Sequence, residues 1–254
     1  MPFFMIGTQR SGSNLLRLML DQSPCLVAPH PPHIMERLAP LLPHYGPLEI
    51  HSNFASLVED VCLLIETNPV SWKLGRINRQ ELIETCPERS LVALYFQVHN
   101  MLATANGATD WVCKSLANVH HLSEIERFGG SQARFIHLHR DGRDVALSFR
   151  KALVGEKSNY HIAKQWRDEQ KKALALGDRL PKGRFISVAY SELITDPERQ
   201  LHHLCAFMNI PFTKAMLEFY KSKEAADTSQ AGQMWSNVAK PVMAQNQRNF
   251  LGET

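Results

Sequence analysis

Arg10, Ser13 and Asn14 lie in or beside a short loop bounded by Gly7 and Gly12, entered from the apolar run Phe3 to Ile6. Leu15, Leu16, Leu18, Met19 and Leu20 follow with the broad apolar face of a helix. A buried strand that turns through glycines into a helix points unpaired backbone N–H groups, and the positive end of the helix dipole, into the turn. Phosphate and sulfate oxygens meet that demand, so the chemistry this segment can do is anion binding. Arg10 adds a permanent charge and a planar fork of donors, and the backbone N–H groups of Ser11, Gly12, Ser13 and Asn14 complete the cradle. The glycine spacing is that of the nucleoside-triphosphate loop G-x-x-x-x-G-K-[ST]. Ser13, however, stands where that loop has lysine, and Asn14 where it has the hydroxyl that holds Mg²⁺. The expectation is an anion held without a metal ion.

A second candidate spans Ala133 to Arg150: a strand ending at Arg140, a tight Asp141-Gly142 turn, then a helix. Arg140 thereby falls at the carboxyl end of a strand, where open parallel sheets bind ligands, and Ser148, two helical turns on, can turn its hydroxyl toward the same anion. A charge-assisted bond to a buried anion contributes about 1.5–3 kcal/mol. Taken singly, Arg140 reads equally well as an ion-pair partner of Asp141 or Asp144, and Ser148 as an ordinary helix residue.

Together the two segments resemble the sulfotransferase superfamily, whose donor is 3′-phosphoadenosine 5′-phosphosulfate (PAPS). Gly7 to Leu16 is similar to the family's 5′-phosphosulfate loop, R-S-G-[ST]-[NT]-L-L, and Arg140 to Ser148 to its 3′-phosphate segment, R-[DN]-x-[RK]-D-x-x-x-S. The stretch Val188 to Pro197 resembles the family's Y-E-x-L-x-x-x-P element. The likeness runs from Pro2 to about Phe212 and weakens between Pro29 and Asp110, where acceptor specificity would reside. It is closest to the bacterial and tyrosylprotein-sulfotransferase-like branch. The resemblance implies PAPS as co-substrate, no metal, and metal-independent in-line transfer of a sulfuryl group to an acceptor hydroxyl. It implies Arg10, Ser11, Gly12, Ser13, Asn14, Arg140 and Ser148 as donor-binding residues, and Tyr190 beside the adenine. Lys114, at the end of the run Trp111-Val112-Cys113, matches the family's lysine that approaches the bridging oxygen of the donor. Ser236 to Val242 resembles a closing segment that would bring Asn237 or Lys240 over the donor.

The base is open. The family's K-x-H motif is absent, since Lys114-Ser115-Leu116 carries leucine at the histidine position. The glutamate used in the other branch falls near Pro31, so the nearest ionisable side chains are His33, His30 and Glu36. His33 is preferred, because an imidazole with an unperturbed pKa of about 6.5 is a good proton acceptor at neutral pH. His137 and His139 alternate on their strand and read as packing residues, with His120 and His121 as lower-ranked candidates. Arg10, Lys114 and His33 thus form the expected catalytic set. The alternatives are a P-loop kinase or other phosphotransferase, and a non-catalytic module that binds PAPS or its desulfated product.

These residues need a scaffold. Strand candidates at Phe3 to Ile6, Trp111 to Lys114, Arg134 to His139 and Phe185 to Val188 alternate with helix-like segments. This predicts an α/β fold, a P-loop-type parallel β-sheet flanked by helices on both faces. Pro87 to about Ala105 and Ser158 to Leu176 read as core-packing helices. Pro24 to Pro47 holds seven prolines and three histidines, too many prolines for one regular helix, and reads as a loop with a short helical turn over the site. The whole of 1–254 reads as one domain, with the 24–47 loop and the helical region 52–106 on the acceptor side. Hydrophobic content of 44%, charged content of 21% and a net charge of +3 predict a folded protein and argue against a nucleic-acid partner. No secretory or membrane-spanning run is visible, and five scattered cysteines without C-x-x-C spacing suit a reducing compartment, so a cytoplasmic enzyme is expected. The expected partner is a small-molecule or carrier-linked hydroxyl acceptor.

Overall fold

The computed structural model describes residues 1–153 and 155–242. Five strands, β1 (Pro2–Gly7), β2 (Leu26–Val27), β3 (Asp110–Cys113), β4 (Arg134–His139) and β5 (Phe185–Ala189), form one sheet in the order β2-β3-β1-β4-β5. Every pairing is parallel, with Phe4 opposite Cys113 on one side and Phe135 on the other. The helices are α1 (Ser13–Leu20), α2 (Ile34–Leu38), α3 (Leu42–Tyr45), α4 (His51–Glu66), α5 (Arg79–Thr85), α6 (Leu91–Ala105) and α7 (Leu122–Gly129). They continue with α8 (Gly142–Lys151), α9 (Asn159–Arg179), α10 (Tyr190–Thr195), α11 (Pro197–Met208) and α12 (Lys223–Gln230).

The strands are apolar on both faces because both faces are covered. Phe4 and Ile6 join Trp111 and Phe135 in a core with Leu57 and Val61 of α4 and Leu94 and Val98 of α6. Phe3 and Met5 point the other way, to Leu16 and Met19 of α1 and Leu201 and Leu204 of α11. This is the expected α/β sheet with helices on both faces. No helix among the described residues is long and apolar enough to cross a membrane.

Several boundaries differ from the sequence expectation for local reasons. Helix α6 begins at Leu91 and not at Pro87, because Ser90 is extended and its hydroxyl accepts the Ala93 N–H at 3.1 Å, which caps the helix there. Helix α9 runs to Arg179, and it is more than a packing helix, as its contacts below show. The proline-rich stretch contains β2, the helices α2 and α3 and a 3₁₀ turn at Ala39–Leu41, with Pro40 and Pro43 in first turns where a missing N–H costs nothing. The two-residue strand β2 is too short to leave a periodic signal. All five cysteines are free; Cys62, Cys113 and Cys205 are buried, and Cys25 and Cys86 partly so.

Gly7 closes β1 at φ 138°, where an added Cβ would lie 2.3 Å from the Leu138 carbonyl oxygen of β4. Gly7→Ala is therefore expected to lower the unfolding free energy by about 1–3 kcal/mol, read from the urea midpoint at unchanged slope.

Candidate active site

The carboxyl ends of all five strands deliver one of the expected residues each. Arg10 follows β1, His33 follows β2, Lys114 follows β3 directly, Arg140 follows β4 and Tyr190 follows β5. Strand order reverses direction at β1, the first strand in the chain and the central one in the sheet, and such a switch point opens a crevice at the carboxyl edge. A cavity of about 390 Å³ occupies that crevice, lined by Arg10, Gly12, Ser13, Asn14, His33, Lys114, Arg140, Ser148 and Tyr190 among others. A second, of about 410 Å³, adjoins it and shares Arg10, Arg140, Ser148 and Tyr190. Ser11 is the exception among the expected donor-binding residues, being wholly buried beneath the loop.

The loop is built around strained backbone. Arg10 at φ 70° and His33 at φ 60° are two of the three non-glycine residues with positive φ among the described residues, the third being the helix-capping Asn209. Conformations of this kind cost about 1–3 kcal/mol each and persist where the surroundings over-determine them. Gly12, at φ 90°, is needed on a second ground, since a Cβ there would stand 2.4 Å from the Tyr190 ring. Arg10 Nε donates to Ser148 Oγ at 3.0 Å, and Arg140 Nη1 donates to the Arg10 carbonyl oxygen at 3.3 Å. The two segments predicted separately are thus one structure, 130 residues apart in sequence.

Its electrostatics call for an anion. Burial, and then the Arg140 charge, pull the Arg10 guanidinium below its usual range. Asp144, at 3.9 Å from Arg140 Nε, offers only a loose ion pair, so the ion-pair alternative for Arg140 accounts for part of its setting. Ser11 Oγ, Asn14 Oδ1 and Arg140 Nε are buried without a hydrogen-bond partner. Buried polar atoms are costly to leave unpaired; an anion's oxygens would accept from Arg140 Nε, while Asn14 Oδ1, an acceptor, calls for a donor such as a hydroxyl, and Ser11 does not line the cavity. Tyr190 is engaged already: Arg140 stacks its guanidinium 4.4 Å from the ring centroid.

Lys114 and His33 line the same cavity as Arg140. Desolvation, reinforced by the charges of Arg17 and Arg10, brings the Lys114 ammonium down to about 7. His33 Nδ1 sits 2.8 Å from Glu36 Oε2, with Ser115 Oγ 3.3 Å from the same nitrogen. The hydrogen bond from His33 holds the Glu36 carboxyl below the usual carboxylate range. With Nδ1 donating to Glu36, the other ring nitrogen, Nε2, carries the free lone pair. The remaining candidates separate physically. His30 is buried, donates from Nδ1 to Asn68 Oδ1 at 2.9 Å, and is pushed down to about 3 by desolvation and then by Lys114; it does not line the cavity. Glu36 serves His33. His120 and His121 also lie off the cavity, and His137 is enclosed by Ser187 at 3.0 Å and Gln170 at 2.8 Å.

Some contributors carry no sequence motif. Helix α9 supports the crevice from beneath: Gln170 Nε2 donates to Thr8 Oγ1 at 3.2 Å, and Trp166 Nε1 donates to the Arg140 carbonyl oxygen at 3.0 Å. Arg17 of α1 is fully buried, with Nη1 on Glu224 at 2.7 Å and on the Ala28 carbonyl oxygen at 2.9 Å, and Nη2 on Thr228 at 2.7 Å. It fastens α12 to the donor-loop helix. The chain beyond α12 then lines the cavity with Trp235, Asn237, Val238 and Lys240, residues that include part of the expected closing segment. The rest of the C-terminal stretch, residues 243–254, lies outside the described residues.

Comparison with known proteins gives the family and the fold. A family model described as the sulfotransferase family matches residues 2–214. The sulfotransferase domain of the olefin synthase of Synechococcus PCC 7002 superposes with a TM-score of 0.71 at 21% identity, over 100% of this chain and 88% of that one. The sulfotransferase domain from the curacin biosynthetic pathway gives 0.60 at 21% identity, over 97% and 94% of the two chains. No curated protein matches by sequence.

Proposed function

The chain belongs to the sulfotransferase family, and we propose that it moves a sulfuryl group from PAPS to an acceptor hydroxyl by metal-independent in-line transfer. One observation carries this: guanidinium groups from the ends of β1 and β4 converge on a crevice that also receives Lys114 and His33. In this reading the loop N–H groups and Arg10 hold the phosphosulfate, and Arg140 with Ser148 holds the 3′-phosphate. His33 Nε2 takes the proton of the acceptor hydroxyl as its oxygen attacks sulfur. The bond from sulfur to the bridging oxygen breaks, and Lys114 stabilises the charge that gathers on the departing phosphate. The protein's part is positioning and fixed charge, as in phosphoryl transfer. The acceptor is a small-molecule or carrier-linked hydroxyl. Two neighbours of the same fold, named for an olefin synthase and a biosynthetic pathway, are in keeping with that class.

The test is thermal stabilisation by adenosine 3′,5′-bisphosphate in the absence of Mg²⁺. Mg²⁺-dependent stabilisation by ATP instead would identify a phosphotransferase, and binding without turnover of ³⁵S-labelled PAPS would identify a non-catalytic module. Arg140→Ala is expected to weaken binding of adenosine 3′,5′-bisphosphate by about 10- to 150-fold, the loss of one charge-assisted contact. A calorimetric titration of that variant with unchanged affinity would remove the 3′-phosphate assignment.

A further inference from the structure

The lining of the cavity is of two kinds. One is polar: the donor loop and Arg140 give it charge and hydrogen-bond donors. The other is apolar: Leu116 and Ala117 follow Lys114 in the turn after β3, and Trp235 meets His30, three residues before His33. We infer that the acceptor carries its hydroxyl on an apolar group, hydrocarbon or aromatic, and that Trp235 is the residue that selects it. This rests on the sulfuryl-transfer reading above.

Trp235 is held in place. Its ring meets His30 edge-on with centroids 4.8 Å apart, and its backbone closes a turn, donating to Gly232 O at 2.9 Å and accepting from Val238 N–H at 2.9 Å. The turn hangs from α12, which Arg17 fastens through Glu224 and Thr228. A buried Arg–Glu pair of this kind is strongly destabilising to break, so the indole stands on a firm support. Among the described residues no Asp or Glu lines the cavity; Gln9, Asn237 and Lys240 do, and Lys240 Nζ donates to Asn237 Oδ1 at 3.0 Å. A sugar placed beside His33 would turn some of its hydroxyls to Leu116 and Ala117, which offer no side-chain partner, and sites of that make discriminate against such ligands. An alkyl chain or aromatic ring meets no such cost and gains from the large indole face.

The experiment measures ³⁵S transfer from PAPS to 2-naphthol and 1-octanol, and in parallel to N-acetylglucosamine and to a tyrosine peptide flanked by acidic residues. It begins with calorimetric binding of adenosine 3′,5′-bisphosphate without Mg²⁺, whose absence in the wild type overturns both this inference and the reading it rests on. With binding present, kcat/KM for at least one apolar alcohol should exceed that for the sugar and the peptide by about tenfold or more. Trp235→Ala and Trp235→Gln should raise KM for that alcohol by about tenfold, with a smaller change in KM for PAPS, and Trp235→Phe should restore most of the loss. Preference for the sugar or the peptide, transfer to neither alcohol, or an alcohol KM untouched in the folded Trp235 variants would each overturn the inference.

Discussion

Replacing Lys114 by alanine is expected to lower kcat by about 10²- to 10³-fold, the usual cost of removing one fixed donor aimed at developing charge. Lys114 follows directly on a strand paired to the centre of the sheet, so its Cα is anchored while its side chain lines the cavity beside Arg10 and His33. Positive charge at the bridging oxygen helps most when the bond to sulfur is breaking, so the loss falls on kcat more than on the KM for PAPS. The same lysine gives binding a pH signature. Desolvation first, then the neighbouring Arg17 and Arg10 charges, lower its ammonium to about 7. Above that pH the free protein holds Lys114 largely neutral. A bound phosphosulfate favours the charged form, so binding takes up protons and affinity declines as pH rises from about 7. Titration of adenosine 3′,5′-bisphosphate at about pH 8, in two buffers of different ionisation enthalpy, should show uptake of up to about one proton in the wild type and markedly less in Lys114→Met. Equal uptake in both proteins would place the titrating group elsewhere.

The part of the crevice around Arg10 and Arg140 was legible in the sequence because each half of it is local. A glycine-bounded turn between strand and helix, or an arginine two helical turns from a serine, is a pattern of a dozen residues whose geometry the backbone dictates. What joins the halves, the bond from Arg10 to Ser148, follows from β1 and β4 being neighbours in the sheet. The part around His33 was only half legible. Three ionisable groups within seven residues, His30, His33 and Glu36, look alike in sequence. They are told apart by Asn68 binding the first and by Glu36 turning to the second. The Arg17 latch could not be read at all. Its partners lie 207 and 211 residues away, and an arginine on a helix of otherwise apolar face reads as solvent-exposed until α12 is seen to cover it. Trp235 inherits its place from that latch, and so was equally out of reach.

The second large effect is expected at His33. His33→Ala should lower kcat by about 10²- to 10⁴-fold, the range for a positioned general base, while adenosine 3′,5′-bisphosphate still binds. Two features of its setting favour a base over a packing residue. Its backbone is held at φ 60°, a conformation a histidine adopts at a cost of about 1–3 kcal/mol. Its Nδ1 is engaged by Glu36 and faced by Ser115, which settles the tautomer with the lone pair on Nε2, as a carboxylate does for the histidine of hydrolase triads. Glu36→Gln keeps an oxygen that can accept from His33 Nδ1, so its loss in kcat should be smaller than that of His33→Ala and should likewise spare KM for PAPS. Exogenous imidazole should restore part of the activity of His33→Ala, because the side chain faces an open cavity that imidazole can enter, and none of the activity lost in Lys114→Ala. Rescue of the lysine variant by imidazole, or a His33→Ala enzyme within about threefold of the wild type, would move the base to another group.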